Sequence, residues 1–556
     1  MFPAPERRAS PAADPFALPR PAGPPVPLGT VDSPDQHDGA LADAESGLTF
    51  VLRYAVPGLV ATLVVAIGAL GVGWLPTESP LRDIPLIHTL QTTDVGTFVA
   101  RACVILGGAL FLQAWLVLGA DVLAGHVRDL RRLWSVLAIW CAPLLLAPPI
   151  FSRDVYSYFV QGKLMLGGHD PYSSGVSVIP GWFRDGVDPM WQNTPTPYGP
   201  LFMALSRGVA ALVADNTYLA IIAFRLIALG GVALLAFYVP RLAFHCGIDA
   251  SKALWLGVMN PLVLMHFVAG AHNDSVMIGL VVAGLAIAIE GRPLVGVVIL
   301  SLGGMVKPIG LLALPFAGLV WAGTRSGLRG RVIAWVKTAA TFGVSYLVLA
   351  GVVGTSLGWI RALTTPGEVR TWLSPSTALG MASGNLLSAI GLGDHLDVTV
   401  AIFRVLGEIA AVVIVAYLCL RPQGRTAVRS LMLAFLAVVA LGPVVQAWYL
   451  LWALPLAAAS GLSRRELRIV VALTAAFTLY GLCETSATAD SLLELSDGLA
   501  MLAAAAAVGL AVSISPRERA PSLRFVVPAV RERQKRRSSR PESRRSSAAT
   551  RSLSAV

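Results

Sequence analysis

Polar and charged residues that interrupt long apolar runs are the groups in this chain best suited to chemistry, because such groups are costly among apolar neighbours unless they face a cavity or a partner. The first is Asp154, in FSRDVYSYFVQGKLML, where Pro148 and Pro149 have just ended an apolar run. If residues 154–165 are helical, Asp154, Tyr158 and Gln161 share one face at i, i+4 and i+7. An acid with two hydrogen-bonding neighbours at a membrane surface suits a general base. Aspartate is also a favoured N-cap, so base and helix cap stand as alternatives for Asp154.

Three further interruptions follow. His272, Asn273 and Asp274 separate two apolar runs, Lys307-Pro308 does the same one hairpin later, and Gln446 breaks GPVVQAWY. Each alone reads as a capped helix end, but their convergence on one side of a membrane would make a site. HDPY at 169–172 and PYGP at 197–200 read as turns, with Asp170 a turn former. Trp182, Trp191 and Tyr198 suit an interfacial aromatic belt and would equally stack on a sugar. Arg101, Arg225, Lys337 and Arg404 lie near the ends of apolar runs and are read as snorkelling to the interface. His266 and Glu408 are expected to be satisfied within the bundle.

The elements that must position these residues follow from composition. Of 556 residues, 55% are hydrophobic and only 13% charged, about half the charge of a soluble protein. That excludes a string of soluble domains and indicates an all-α polytopic membrane protein. Apolar runs near 54–75, 97–120, 133–150, 218–238, 252–270, 275–290, 293–305, 309–323, 332–354, 400–420, 428–444, 447–460, 469–485 and 497–514 predict about 14 spans, with a range of 12–14, several being short and the pairs flanking Lys307 and Gln446 open to reading as merged or broken helices. With the N-terminus inside, the short inner loops are much richer in Arg and Lys than the outer loops, as the positive-inside rule requires. The outer loops 151–217 and 355–399 are long, and all the interruptions above fall on that outer side. Residues 200–214 would invert this topology if they spanned, so they are read as an outer surface helix with Arg207 and Asp215 in water.

The net charge of +11 resides mainly in residues 515–556, a basic tail suited to anionic headgroups, so nucleic acid is a poor partner. Residues 1–50 are Pro-rich and expected to be disordered, lacking a secretory signal. The domain reading is therefore 1–50, a transmembrane domain over 51–514, and a tail over 515–556. Cys103, Cys141, Cys246, Cys419 and Cys483 have no paired spacing and read as small core residues. No Walker A loop, HExxH pair or GxGxxG fingerprint is present, and the inner loops are too short for a nucleotide-binding domain. An energy-rich substrate must then arrive from the membrane or from outside.

The stretch FSRDVYSY, QGKLM, DPY and PTPYGPL, followed by HND and MVKP, resembles the polyprenyl-phosphate-mannose-dependent α-1,6-mannosyltransferases of actinobacteria. The resemblance is to the Mpt type, with GVSVIPGWF and DPMWQNTPTPYGP favouring its B form. It covers most of 50–515 and is most specific from Ser152 to Asp274. It implies a C-type glycosyltransferase bundle in the plasma membrane, an extracytoplasmic active site, and elongation of the mannan of lipomannan and lipoarabinomannan. It also implies that Asp154 is the catalytic carboxylate and that spans 54–75 and 97–120 precede the core. The family often has two adjacent acids, whereas Arg153 precedes Asp154 here, so Asp274 is the candidate for the second acidic role.

On that resemblance, Asp154 would take the proton of an acceptor 6-hydroxyl as mannose leaves polyprenyl phosphate with inversion. Arg153, Lys163 and Lys307, with His272 as hydrogen-bond donor, would hold the donor phosphate. Tyr158, Gln161, Tyr198, Asn273, Asp274 and Gln446 would contact substrate. No cofactor or metal is expected. The partners would be the polyprenyl phosphate mannose donor, a lipid-anchored mannan acceptor and the bilayer. A lipid or solute transporter, or a glycosyltransferase using another sugar, is the alternative; no repeat between the halves favours the transporter.

Overall fold

The computed structural model describes residues 47–323, 326–361, 370–421 and 424–484, with side chains through Leu482. The N-terminal segment, the apolar run at 497–514 and the basic tail expected above lie outside the described residues, as does the side chain of Cys483. The elements formed by the described residues are all helices.

A π-turn at Val51–Ala55 runs into α1 (Val56–Val72), which a short α2 (Pro85–Thr92) connects to α3 (Asp94–Ala124). The axes of α1 and α3 approach closely because glycine faces backbone at the crossing. A Cβ on Gly107 would stand 2.7 Å from the Val65 amide nitrogen, a small-residue contact common between membrane helices. Thr93 caps α3 by accepting from Gly96, and Gly125 closes it in the left-handed region at φ 82°. Next come α4 (Leu130–Leu146), α5 (Asp154–Leu166), α6 (Pro200–Val213), α7 (Thr217–His245) and α8 (Ala250–Gly257). Trp115 of α3 and Trp255 of α8 stack at 4.8 Å, and each indole N–H donates to the other's backbone carbonyl, at 3.1 and 2.9 Å.

A π-turn at Val263–Ala269 leads to α9 (Asp274–Ile289) and α10 (Pro293–Val306). A 3-10 turn at Pro308–Ala313 precedes α11 (Leu314–Ala322), and α12 (Leu328–Val353), α13 (Pro375–Ala389), α14 (Leu396–Leu420) and α15 (Ala427–Leu441) follow. The chain then passes a 3-10 turn at Ala447–Trp452, α16 (Leu454–Ser460) and α17 (Arg464–Glu484).

Among the described residues, five helices are long and apolar enough to cross a bilayer: Gly47–Val72, Asp94–Ala124, Thr217–His245, Leu328–Val353 and Leu396–Leu420. Val263–Ala269 and Asp274–Ile289 would make a sixth, bent by 113° at the His272–Asn273 break. The runs expected as spans at 293–305, 309–323, 428–444 and 447–460 are helices of 10–17 residues. Lys307-Pro308 and Gly442-Pro443 stop the first helix of each pair, because proline supplies no amide hydrogen, and the chain resumes in 3-10 geometry at Pro308 and, after Gln446, at Ala447. The protein is therefore an all-helical polytopic membrane protein with several broken apolar helices.

The residues at 200–214 form the amphipathic α6, whose Phe202, Met203, Ser206 and Val209 are buried while Arg207 and Asp215 are exposed. Arg225 does not snorkel. It is fully buried in α7 and donates to the carbonyls of Leu145, Ala147 and Ala269. A guanidinium can be held inside in this way because its N–H groups meet the carbonyls that helix ends leave unpaired. Arg404 donates to Thr377 at 2.9 Å, and Lys337 lies over the Trp321 ring at 5.9 Å.

Candidate active site

Asp154 opens α5 but does not cap it. Arg153 occupies the cap position, no side-chain cap bond forms, and the Asp154 amide donates to Ser152 Oγ at 3.0 Å. The carboxylate is thus free for other work. Its Oδ2 lies 3.5 Å from His272 Nδ1, on the segment that joins the π-turn to α9. The His272 ring is fully buried and stacks on Trp448 at 4.1 Å, with His266 tilted against both. Neither ring nitrogen of His266 has a hydrogen-bond partner, so that histidine is not satisfied within the bundle as the sequence suggested.

Asp274, fully buried at the start of α9, accepts from Lys307 Nζ through both oxygens at 2.9 Å and from Trp452 Nε1 at 2.6 Å. Lys307 also faces the Tyr449 and Trp452 rings, 5.4 and 5.6 Å from their centroids. The three separate interruptions of the sequence, at 154, 272–274 and 307, therefore meet. The stretch Ala447–Trp452 after Gln446 adds Trp448, Tyr449 and Trp452, which sequence reasoning missed. Their spacing in AWYLLW was a usable signal, since it presents three aromatic rings within two turns of a polar break.

The Asp154 carboxyl opens α5, outside the helices long and apolar enough to cross a bilayer, and its pKa is pushed up to about 6. Burial is the main cause. The Lys307 ammonium opposes it, the carboxylates of Asp274 and Asp188 add to it, and the Trp191 indole favours the charged form.

Other expected residues lie elsewhere or differ in role. Lys163 is three positions from the end of α5, roughly 13 Å along the axis from Asp154. It is held by Asp185 and Asp215, each at 2.9 Å. Arg153 stacks on Trp74 at 3.6 Å and donates to the carbonyls of Gly186 and Val187. Arg153 also lies 3.7 Å from Asp188, so both cations are bound by carbonyls and acids of the 151–217 loop. Trp191 and Tyr198 are buried, 5% and 3% exposed, which removes them from an interfacial belt. Tyr198 and Tyr158 instead meet edge to face at 5.3 Å, and Tyr158 packs on Phe202 and Phe224. Gln161 accepts from Thr196 at 3.1 Å and leaves its Nε2 unpaired. Asn273 is buried with both amide atoms unpaired, and Gln446 is half-buried at the start of its 3-10 turn. Asp170 accepts from the Tyr172 amide at 3.0 Å, as a turn former should.

An apolar cavity of about 1000 Å³ adjoins the Lys307 end of this cluster. Lys307, Tyr449 and Trp452 line it, and its α14 wall runs from Glu408 to Leu420, roughly 18 Å of helix. Its charged lining residues are Lys307 and Glu408, and the remainder is largely aliphatic and aromatic. Glu408 thus faces the cavity and not a partner inside the bundle. Among the described residues, no group of three or more His, Cys, Asp or Glu side chains is placed to hold a metal ion.

Two family profiles match the chain. One, described as the alpha-(1->6)-mannopyranosyltransferase N-terminal domain, matches residues 55–323. The other, the MptB C-terminal domain, matches residues 376–514. Among curated proteins, a probable alpha-(1->6)-mannopyranosyltransferase of Mycolicibacterium smegmatis is 34% identical over 467 residues, covering 76% of this chain and 82% of that protein. Alpha-(1->6)-mannopyranosyltransferase A of Mycobacterium tuberculosis is 34% identical over 428 residues, covering 75% and 82%. Alpha-(1->6)-mannopyranosyltransferase B of Corynebacterium glutamicum is 30% identical over 463 residues, covering 76% and 75%. No solved structure matches. With relatives of this kind over three quarters of its length, the chain belongs to the alpha-(1->6)-mannopyranosyltransferase family of membrane-embedded mannosyltransferases.

Proposed function

We propose that the protein transfers mannose from polyprenyl phosphate mannose to the 6-hydroxyl of a growing α-1,6-mannan in lipomannan and lipoarabinomannan synthesis. In this reading the bundle is of the C-type glycosyltransferase class, with the short paired helices completing about 14 crossings. The site then faces the extracytoplasmic side of the plasma membrane.

The observation that carries the reading is the junction of Lys307 with the apolar cavity. A lipid-linked sugar phosphate has an apolar chain, an anion and a sugar in series. The cavity, Lys307 and Asp154 supply an apolar wall, a cation and a carboxylate in the same order. Lys307 is assigned to the phosphate in place of Arg153 and Lys163 because it lines the apolar cavity beside Asp274, whereas those two bond to groups of the 151–217 loop. In the transfer, the bond from the acceptor 6-oxygen to the sugar C1 forms as the bond from C1 to phosphate oxygen breaks. The hydroxyl proton passes to Asp154, polyprenyl phosphate leaves with the electron pair, and attack from the opposite face turns a β-linked donor into an α-linked product. Tyr158, Tyr198, Gln161, Asn273 and Gln446 are the polar groups available to sugar hydroxyls, with Tyr158, Gln161 and Asn273 offering unpaired buried atoms.

Labelled polyprenyl phosphate mannose and a short α-1,6-mannoside acceptor, given to membranes carrying the protein, test this. Acceptor-dependent label in a new α-1,6 linkage is expected, and it should vanish in Asp154→Asn. Movement of label across the membrane without a new linkage would instead make the protein a transporter, and transfer only from another sugar donor would change the substrate.

A further inference from the structure

Two left-handed residues that are not glycine adjoin the site. Phe151, at φ 73°, stands three positions before Asp154, and Ala271, at φ 53°, stands immediately before His272. Left-handed backbone is unfavourable for an L-residue with a side chain and persists only where the surroundings impose it. Among the described residues the one other non-glycine case is Ala214, at the end of α6.

One side chain holds both turns. Arg225 donates to Leu145 O at 3.0 Å and to Ala147 O, at the end of α4 just before Phe151. Its other arm donates to Ala269 O at 2.8 Å, two residues before Ala271. The segment entering Asp154 is thereby tied to the segment entering His272. From behind, Trp448 stacks on the His272 ring and His266 leans on both, which fixes the plane of the imidazole. What this arrangement delivers is Nδ1 of His272 at 3.5 Å from Oδ2 of Asp154, with neither ring nitrogen bonded to another protein group.

We propose that His272 is a positioning residue for Asp154, with Arg225 setting the spacing of the two. As substrate closes the site, the Nδ1–H donates to Oδ2, and Oδ1 is left aimed at the acceptor hydroxyl. His272 then serves the carboxylate and not the donor phosphate. The inference rests on Asp154 being the base.

The test compares His272→Asn with His272→Gln in full-length protein in nanodiscs, using the donor and acceptor named above. Asparagine carries its amide nitrogen near the place of Nδ1, whereas glutamine carries it near Nε2. His272→Asn should keep transfer within about fivefold of the parent. His272→Gln and Arg225→Lys should lower kcat by about 100-fold, the scale of a 1 Å misplacement, with KM for both substrates unchanged. Thermal unfolding separates this from misfolding, and added imidazole should partly restore His272→Ala. A rise in donor KM with kcat preserved would make His272 a phosphate ligand and overturn the proposal, as would equal loss in the Asn and Gln variants. Persistence of transfer in Asp154→Asn would remove the base itself, a failure of the underlying reading that the His272 variants do not produce.

Discussion

Lys307 reaches both carboxylate oxygens of Asp274 at 2.9 Å, and Trp452 completes that carboxylate with a 2.6 Å indole bond. Asp274 therefore has three of its roughly four acceptor sites taken by protein groups. The residue suggested by sequence as a second acid acts on Lys307, holding an ammonium at the edge of an apolar cavity where a free cation would be costly.

Lys307→Met should leave Asp274 buried and unpaired, at a cost of about 3–5 kcal/mol. The same variant carrying Asp274→Asn should recover most of that stability, because no buried charge remains. Neither should bind donor normally. Thermal unfolding and donor titration, run together, check the two halves; full stability in the single variant would show that the pair is not buried as described.

Asp154 predicts a pH dependence of activity and of stability with opposite senses. A base with its carboxyl pushed up to about 6 must be ionised, so transfer should fall tenfold per unit as pH drops below about 6. For stability, the folded pKa stands above the ordinary 3.8. The folded state then holds the proton more tightly, and its advantage is present below about pH 4 and lost as pH rises through about 6. Asp154→Asn should accordingly be more stable than the parent at pH 7.5, by on the order of 2 kcal/mol, and no more stable at pH 4. Unfolding midpoints at the two pH values measure this.

Lys163 provides the contrast to Lys307. Lys163→Gln removes a cation held by Asp185 and the exposed Asp215, and should cost about 1 kcal/mol of stability. Donor KM should stay within twofold of the parent. A tenfold rise would return Lys163 to the phosphate.

Filling the cavity should act through the donor's chain. Val415→Trp, on the α14 wall, should raise KM for a long-chain donor about tenfold, equivalent to roughly two methylenes of lost burial. A donor with a short prenyl chain should be spared. Equal effects on both donors would mean that the chain lies elsewhere.

The sequence made the chemical interruptions visible, because a lone Asp, Lys or His-Asn-Asp among apolar residues has few structural reasons to be there. Apolar periodicity likewise located the helices, including the amphipathic Pro200–Val213 segment. It did not distinguish full-length spans from pairs of short helices broken at Lys307 and Gln446, since both are apolar runs of similar composition. Nor could it tell which cations face the site. Arg153, Lys163 and Lys307 are equivalent as charges, and only the fold shows that Asp185, Asp215 and the carbonyls of Gly186 and Val187 take up the first two. The buried Arg225 was misread for a similar reason, because its partners are backbone carbonyls from two distant segments and carry no side-chain signature.

The reciprocal indole bonds of Trp115 and Trp255 bear on the modularity of the chain. Trp115 belongs to the helical pair that precedes the site-bearing portion, and Trp255 to the portion itself. Truncating that leading pair would strip the Trp255 indole and the Trp255 carbonyl of their partners and bare the Trp255 face, so the two parts are grafted together and do not form a detachable preface. A shortened version made for expression or crystallisation would have to begin before Val51, or else replace Trp255 with a residue content to face lipid.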